Sequence, residues 1–301
     1  MRTAKKNIII GTTFVDIKGF PDSEYIERGR NAGTIEYVQG GVGRNIAENL
    51  GRCACQTVFV SAVDQSSLAA DIIDRLQREG VETKYIARSE AGLGTWLAIF
   101  DNEGDVVASI SKRADMHGIL PVMAEHETEI FSDASGLSVE MDMDPDIVAK
   151  IMDYARKYDL PVYAVLSNMK IALEHRAFDY PISCLVCNQQ EAEMMFTSLG
   201  HGVEGIIQSV KEGVSSYPVE KMVVTLGSEG AVYYDRTDDS AGWIPPVAVE
   251  VCDTTGAGDA FFSGVVIGLT RGDSLEEACK TGALLASSVI STRENVCGHL
   301  M

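Results

Sequence analysis

Strand-like and helix-like segments alternate along most of the chain, and this alternation limits the fold more than any other feature. Asn7–Gly11 and Thr57–Val63 are apolar runs of strand length. After the second, Ser66–Gly80 carries Leu68, Ala69, Ile72, Ile73 and Leu76 on one helical stripe. Ser66 or Ser67 can cap that helix, and Gly80 ends it. Asp144-Pro145 opens another helix, with Asp as N-cap and Pro in the first turn, running to about Tyr158. Pro161–Val165, Ile182–Cys187 and Lys221–Leu226 read as strands, with Ala231–Tyr234 as the hairpin partner of the last. Further helices are predicted over 189–198, 203–213, 256–270 and 274–291. Such alternation predicts a mostly parallel sheet with helices on both faces, an α/β/α sandwich. Two regions break it. Phe14–Gln39 and Leu93–Ser111 are strand-rich and hold turn signals such as Asp101-Asn-Glu-Gly104. They read as a small β lid (14–39 and 93–111) on a core of 1–13, 40–92 and 112–301. A chain of 301 residues has room for both.

Composition narrows the partners. Hydrophobic residues are 46% and charged residues 23%, which excludes a disordered chain. The net charge of −19 excludes a non-specific nucleic-acid binder, and an anionic membrane would repel it. A phosphate ligand must therefore be held locally, by backbone N–H groups and a few cations. The longest apolar stretch, Ala260–Leu269, is interrupted by Ser263, Gly264 and Gly268 and falls short of a membrane span. The apolar run near the start is too short for a signal-peptide core, so the expected setting is the cytoplasm. Seven cysteines without framework spacing read as reduced thiols. Cys184-Leu-Val-Cys187 lies inside a predicted buried strand rather than at a helix N-terminus, where a redox pair would sit.

Five segments could carry chemistry. In Val251–Phe261 a strand end leads through Gly256, Ala257 and Gly258 into an apolar helix. The open N–H groups of such a turn, with the helix dipole, receive an anion. Asp259 among them makes no sense as a phosphate ligand. It makes sense as a base that takes a proton from a hydroxyl while the N–H groups hold a phosphoryl group in transfer. In Gln39–Asn49, Gly40, Gly41 and Gly43 let a ligand approach the backbone, and Asn45 can donate and accept toward sugar hydroxyls. A dinucleotide fingerprint fails there, because Ile46 stands where its third glycine belongs. Asn188 and Glu191 share one face of a helical first turn. They can complete a capping box, or Glu191 can hold Mg²⁺ through water. Thr225-Leu-Gly-Ser-Glu-Gly230 is either a hairpin turn or a turn whose N–H groups contact nucleotide phosphates. Asp16 is a turn residue or an acceptor for two vicinal hydroxyls.

Gly40-Gly-Val-Gly-Arg-Asn45, Asn188-x-x-Glu191 and Asp253-Thr-Thr-Gly-Ala-Gly-Asp259 occur in the order seen in ribokinase-like (PfkB) sugar and nucleoside kinases, and the resemblance covers essentially the whole chain. Within that family, the string from Gly40 to Leu50 most resembles the pseudouridine-kinase branch. The resemblance implies a ribokinase-like α/β/α sandwich with a β lid, dimerising through the lid in many members. It implies ATP-dependent phosphorylation of a terminal ribosyl hydroxyl, here of pseudouridine, or of another nucleoside or sugar. A catalytically silent relative would have no chemical need for the base. Asp259 would be that base, and Gly256, Ala257 and Gly258 the anion hole. Asp16, Gly41 and Asn45 would hold the ribose, and Lys170 would reach base or phosphate or stay a solvated lysine. Asn188 and Glu191 would organise Mg²⁺ and phosphates; Thr225, Gly227 and Ser228 would contact ATP; Asp253 and Thr255 would bind K⁺. A phosphorylated sugar would need another cation, from Arg44, Lys112, Arg113 or Lys170. Two departures bear on substrate choice: Tyr163-Ala-Val-Leu166 replaces an acidic strand end, and Ala114 replaces an Asn before Asp115-Met116.

Overall fold

The structure, a computed structural model, describes residues 5–196 and 198–299. Residues 1–4 and 300–301 of the predicted core, and Thr197 of the predicted helix 189–198, lie outside the described residues. The strands are β1 (Lys6–Ile10), β2 (Phe14–Pro21), β3 (Gly33–Gly40), β4 (Thr57–Val63), β5 (Val81–Glu82), β6 (Ile86–Arg88), β7 (Gly94–Phe100), β8 (Val106–Lys112), β9 (Ala134–Glu140), β10 (Val162–Val165), β11 (Ile182–Asn188), β12 (Val219–Thr225), β13 (Ala231–Asp235) and β14 (Ser240–Ile244). The helices are α1 (Val42–Arg52), α2 (Ser67–Arg78), α3 (Ile119–Glu125), α4 (Glu127–Phe131), α5 (Pro145–Lys157), α6 (Met169–Glu174), α7 (Gln189–Phe196), α8 (Gly202–Gly213), α9 (Ala257–Arg271) and α10 (Leu275–Ile290).

The main sheet runs β14-β13-β12-β11-β10-β9-β1-β4-β5, with β6 beside β4. It is parallel from β12 to β5, and β13 and β14 close one edge as antiparallel hairpins. Strand periodicity places its two cores. Ile8 and Ile10 of β1 face the layer of α3 to α8, whereas Ile9, one residue out of phase, packs with α1, α2, α9 and α10. Strands buried on both faces read as continuous apolar runs, which is why β4, β11 and β12 stand out in the sequence. β9 does not stand out. It is made of Ala-Ser-Gly-Leu-Ser-Val-Glu, yet it pairs with both β1 and β10 at the centre of the sheet. Its Gly136 is required by packing, since a Cβ there would lie 2.6 Å from the Tyr163 ring.

A separate four-stranded sheet, β3-β2-β7-β8, stands over the C-terminal edge. The Asp101–Gly104 turn joins β7 to β8, and Asp101 Oδ1 accepts the N–H groups of Glu103 and Asp105 at 2.9 Å. β1 has β4 on one side and β9 on the other. In open α/β sheets such a switch point opens a crevice at the carboxyl ends of the strands. Among the described residues no helix is long and apolar enough to cross a membrane.

The α9–α10 packing, which carries the Asp259 turn, depends on a close backbone approach. A Cβ on Gly264 would lie 2.6 Å from the Gly282 Cα. Gly264→Ala is therefore expected to cost about 1–3 kcal/mol through overpacking, read as a lower urea midpoint at unchanged slope.

Candidate active site

Two helices begin at the crevice, each with a glycine cap. Gly41 caps α1 at φ 101, and a Cβ on it would lie 2.6 Å from the Thr12 carbonyl oxygen. Gly256 caps α9 at φ 80, and a Cβ on it would lie 2.1 Å from the Asn295 carbonyl oxygen. Both sites need the left-handed conformation and have no room for a side chain. Across the gap, Asn45 Nδ2 donates to Asp259 Oδ2 at 2.6 Å. Asn45 Oδ1 is buried and has no partner among the described residues, so it is available to a ligand hydroxyl. Gly258 faces open space. The Ala257 N–H instead donates to the Thr254 carbonyl at 3.2 Å, which leaves Gly258 as the freer donor of the predicted anion hole.

Burial pushes the Asp259 carboxyl up to about 7; the Asn45 bond and the Arg44 charge oppose this, and the Glu191 charge adds to it. A base poised near neutrality suits proton abstraction from a hydroxyl.

Asp16 lies on β2 of the lid, with Oδ2 3.4 Å from where a Gly40 Cβ would sit, beside the Gly41 turn. Burial raises its pKa, opposed by Lys18 and Arg44. Asn188 and Thr225 are register partners at the ends of β11 and β12, and Gly227 and Ser228 follow in a turn at φ 59 for Gly227. Asn188 and Glu191 form the capping box: each side chain accepts the other's backbone N–H, at 2.9 and 2.8 Å. Asp253 Oδ1 accepts the Thr255 N–H at 2.8 Å, which holds its carboxyl below the usual range. Lys170 is not brought to this site. It is exposed on α6, 3.9 Å from Glu174. Arg44 is fully buried against Glu48, so it cannot face a substrate phosphate. The seven cysteines are free, and burial pushes Cys184 up to about 12 and Cys187 well up, as inert core thiols require.

A cavity of 590 Å³ opens between the lid (Phe14, Ser111) and the ends of β9 and β10 (Glu140, Ser167). Glu140 is absent from the sequence reading because β9 is. Its carboxylate accepts the Thr12 N–H at 2.7 Å and the Thr12 hydroxyl, and burial with Asp142 nearby pushes it up to about 7. The available signal was an acid ending a strand on the carboxyl edge of the sheet.

The model of the pfkB family carbohydrate kinases matches residues 4–296. The chain belongs to the PfkB family. It is 32% identical to the guanosine-inosine kinase of Exiguobacterium acetylicum, over 96% of both chains. It is 25% identical to the pseudouridine kinase of Escherichia coli K12, over 88% of this chain and 84% of that one. Among solved structures, the Arabidopsis thaliana ribokinase complexed with ribose and ATP shares the fold, with TM-score 0.86 at 21% identity over 99% of this chain and 97% of that one. This PfkB kinase is thus a phosphotransferase acting on a hydroxyl of a sugar or nucleoside.

Asp259→Asn keeps an acceptor for Asn45 and removes the expected base. We expect about a 10²–10⁴-fold loss of turnover with the fold intact. The native enzyme's kcat/KM should rise with pH through about 7 as the carboxylate forms, and the variant should lack that limb. The raised pKa means the native state holds a proton that the unfolded chain has lost, so this residue lowers stability as pH rises from about 4 to 7. Asp259→Asn should therefore raise Tm more at pH 8 than at pH 4.

Proposed function

We propose that this kinase transfers the γ-phosphoryl group of ATP to the 5′-hydroxyl of a ribonucleoside, with guanosine and inosine as its preferred substrates. The observation that carries the transfer is the 2.6 Å contact of Asn45 with Asp259 at two facing helix N-termini, a base held beside donors for an anion. The purine preference is supported by the relative at 32% identity. Pseudouridine is the second reading, favoured by the Gly40–Leu50 string and the relative at 25%.

Asp16 and Asn45, with the Gly41 backbone, hold the ribose hydroxyls. The Asp259 carboxylate takes the 5′-hydroxyl proton as that oxygen attacks the γ-phosphorus in line, and ADP leaves. The Gly258 N–H and the positive end of α9 hold the phosphoryl oxygens. Thr225, Gly227, Ser228 and Asn188 would contact ATP. Glu191, a carboxylate two residues into α7, suits Mg²⁺ through water, and Mg²⁺ when bound neutralises phosphate charge. Asp253 and Thr255 would be the oxygen donors for K⁺. Closure of the lid excludes water and so suppresses ATP hydrolysis. ATP as the phosphoryl donor is in keeping with a cytoplasmic setting for this reaction.

The outer lid face supports a homodimer. Tyr37, Ile17, Leu97 and Ile110 are register partners in one row across all four strands, next to Ile35 and Ile99, and all but Ile17 are exposed. Leu97→Asp with Ile110→Asp should convert a dimer to a monomer in sedimentation. A native monomer would end the dimer reading.

The substrate test is ADP release with Mg²⁺, K⁺ and ATP against guanosine, inosine, pseudouridine, uridine, adenosine and ribose. We expect the highest kcat/KM with guanosine or inosine. A higher value with pseudouridine transfers the assignment to the second reading, and no release with any member contradicts both.

A further inference from the structure

Behind the Asn45–Asp259 contact lies a buried ion network that the proposed reaction does not use. Glu48, with no exposed surface, receives Arg44 at 2.6 Å, Arg52 at 2.8 Å and Arg75 at 2.8 Å. Arg75 also reaches Glu294 at 2.7 Å. Arg44 does more than pair. Its Nε and Nη2 donate to the carbonyls of Gly40 and Gln39, the last residues before the Gly41 turn. Its Nη2 also reaches Asn295 Oδ1 at 3.3 Å, and Asn295 Nδ2 donates to the Gln39 carbonyl at 2.7 Å. The Asn295 backbone carbonyl packs directly against Gly256. One guanidinium thus ties the end of the lid strand, α1 and the segment beneath the anion-hole turn.

We propose that Arg44 is a positioning residue: its clamp on Gln39, Gly40 and Asn295 fixes the two glycine turns relative to each other, and with them the Asn45–Asp259 contact. The proposal rests on Asp259 being the base. The groups acting on Asp259 are Arg44 and Asn45 from α1 and Glu191 from α7, so Arg44 is the one cation among them. Burial and Glu191 favour the protonated acid, and Arg44 opposes them. A buried arginine kept for packing alone would be dispensable to that balance. Removing it should also be survivable, because Glu48 keeps Arg52 and Arg75.

The test is the pH profile of nucleoside kcat/KM for the native enzyme, Arg44→Met, Arg44→Lys, Asn295→Ala and Asp259→Asn, with circular dichroism for folding. Arg44→Met should move the acid limb up by about one pH unit, an extra loss of about tenfold below the limb relative to the plateau. Arg44→Lys keeps the charge and should leave the limb in place while the plateau falls. Asn295→Ala should do the same. A folded Arg44→Met with the native limb overturns the charge role. If Arg44→Met does not fold, an upward-shifted limb in Arg44→Lys overturns it instead. Native plateaus in both Arg44→Lys and Asn295→Ala overturn the clamp. Asp259→Asn separates the failures: if it retains the native limb, the base assignment has failed rather than the role of Arg44.

Discussion

Two helix N-termini pointing at one space repel each other and anything positive, and the site is built on that constraint. α1 and α9 bring their positive ends to the crevice, where unpaired N–H groups invite an anion. The anion supplied by the chain is Asp259, held by Asn45 at 2.6 Å. Burial makes its charge costly, and the Asn45 bond and the Arg44 charge oppose that cost. The result is a carboxyl near its titration point, which can gain and lose a proton within a catalytic cycle. A second anion, the transferring phosphoryl group, can then share the same field.

The scaffold exists to hold those ends together. The Gly41 and Gly256 caps have no space for a Cβ, and a Cβ on Gly43 would lie 2.6 Å from the Gly11 backbone. The lid enters through β2, whose Asp16 lies beside Gly40, and it shares the cavity with Glu140 and Ser167 on the core. Substrate closure can therefore act on the same glycine turn that orients Asn45.

Much of this was legible in the sequence, for physical reasons. The middles of β4 (Val58–Val60), β11 (Cys184–Cys187) and β12 (Met222–Val224) are buried on both faces and so read as apolar runs. Ser66 and the Asp144-Pro145 pair mark helix starts where they were expected, at α2 and α5, and Ser66 Oγ accepts the Ala69 N–H at 3.3 Å. The glycine turns around Asn45 and Asp259 show because only glycine fits there. β9 was missed because its small residues carry no β-propensity signal; its place comes from long-range pairing with β1 and β10. Glu140 was lost with it. Arg44 was a candidate cation for a substrate phosphate, yet it is fully buried against Glu48, because spacing in the sequence does not show which face of α1 the sheet and α9 cover. Lys170 shows the converse: the resemblance suggested a site residue, and the structure leaves a surface pair with Glu174.

The claim at the centre is that Asp259 takes the proton from the attacking hydroxyl. The most direct measurement is a crystal structure with guanosine and a non-hydrolysable ATP analogue. The account predicts the 5′-oxygen within about 2.6–3.2 Å of an Asp259 carboxylate oxygen and in line with the γ-phosphorus. A ternary complex with that oxygen directed at another side chain, and Asp259 still bound only to Asn45, would contradict it.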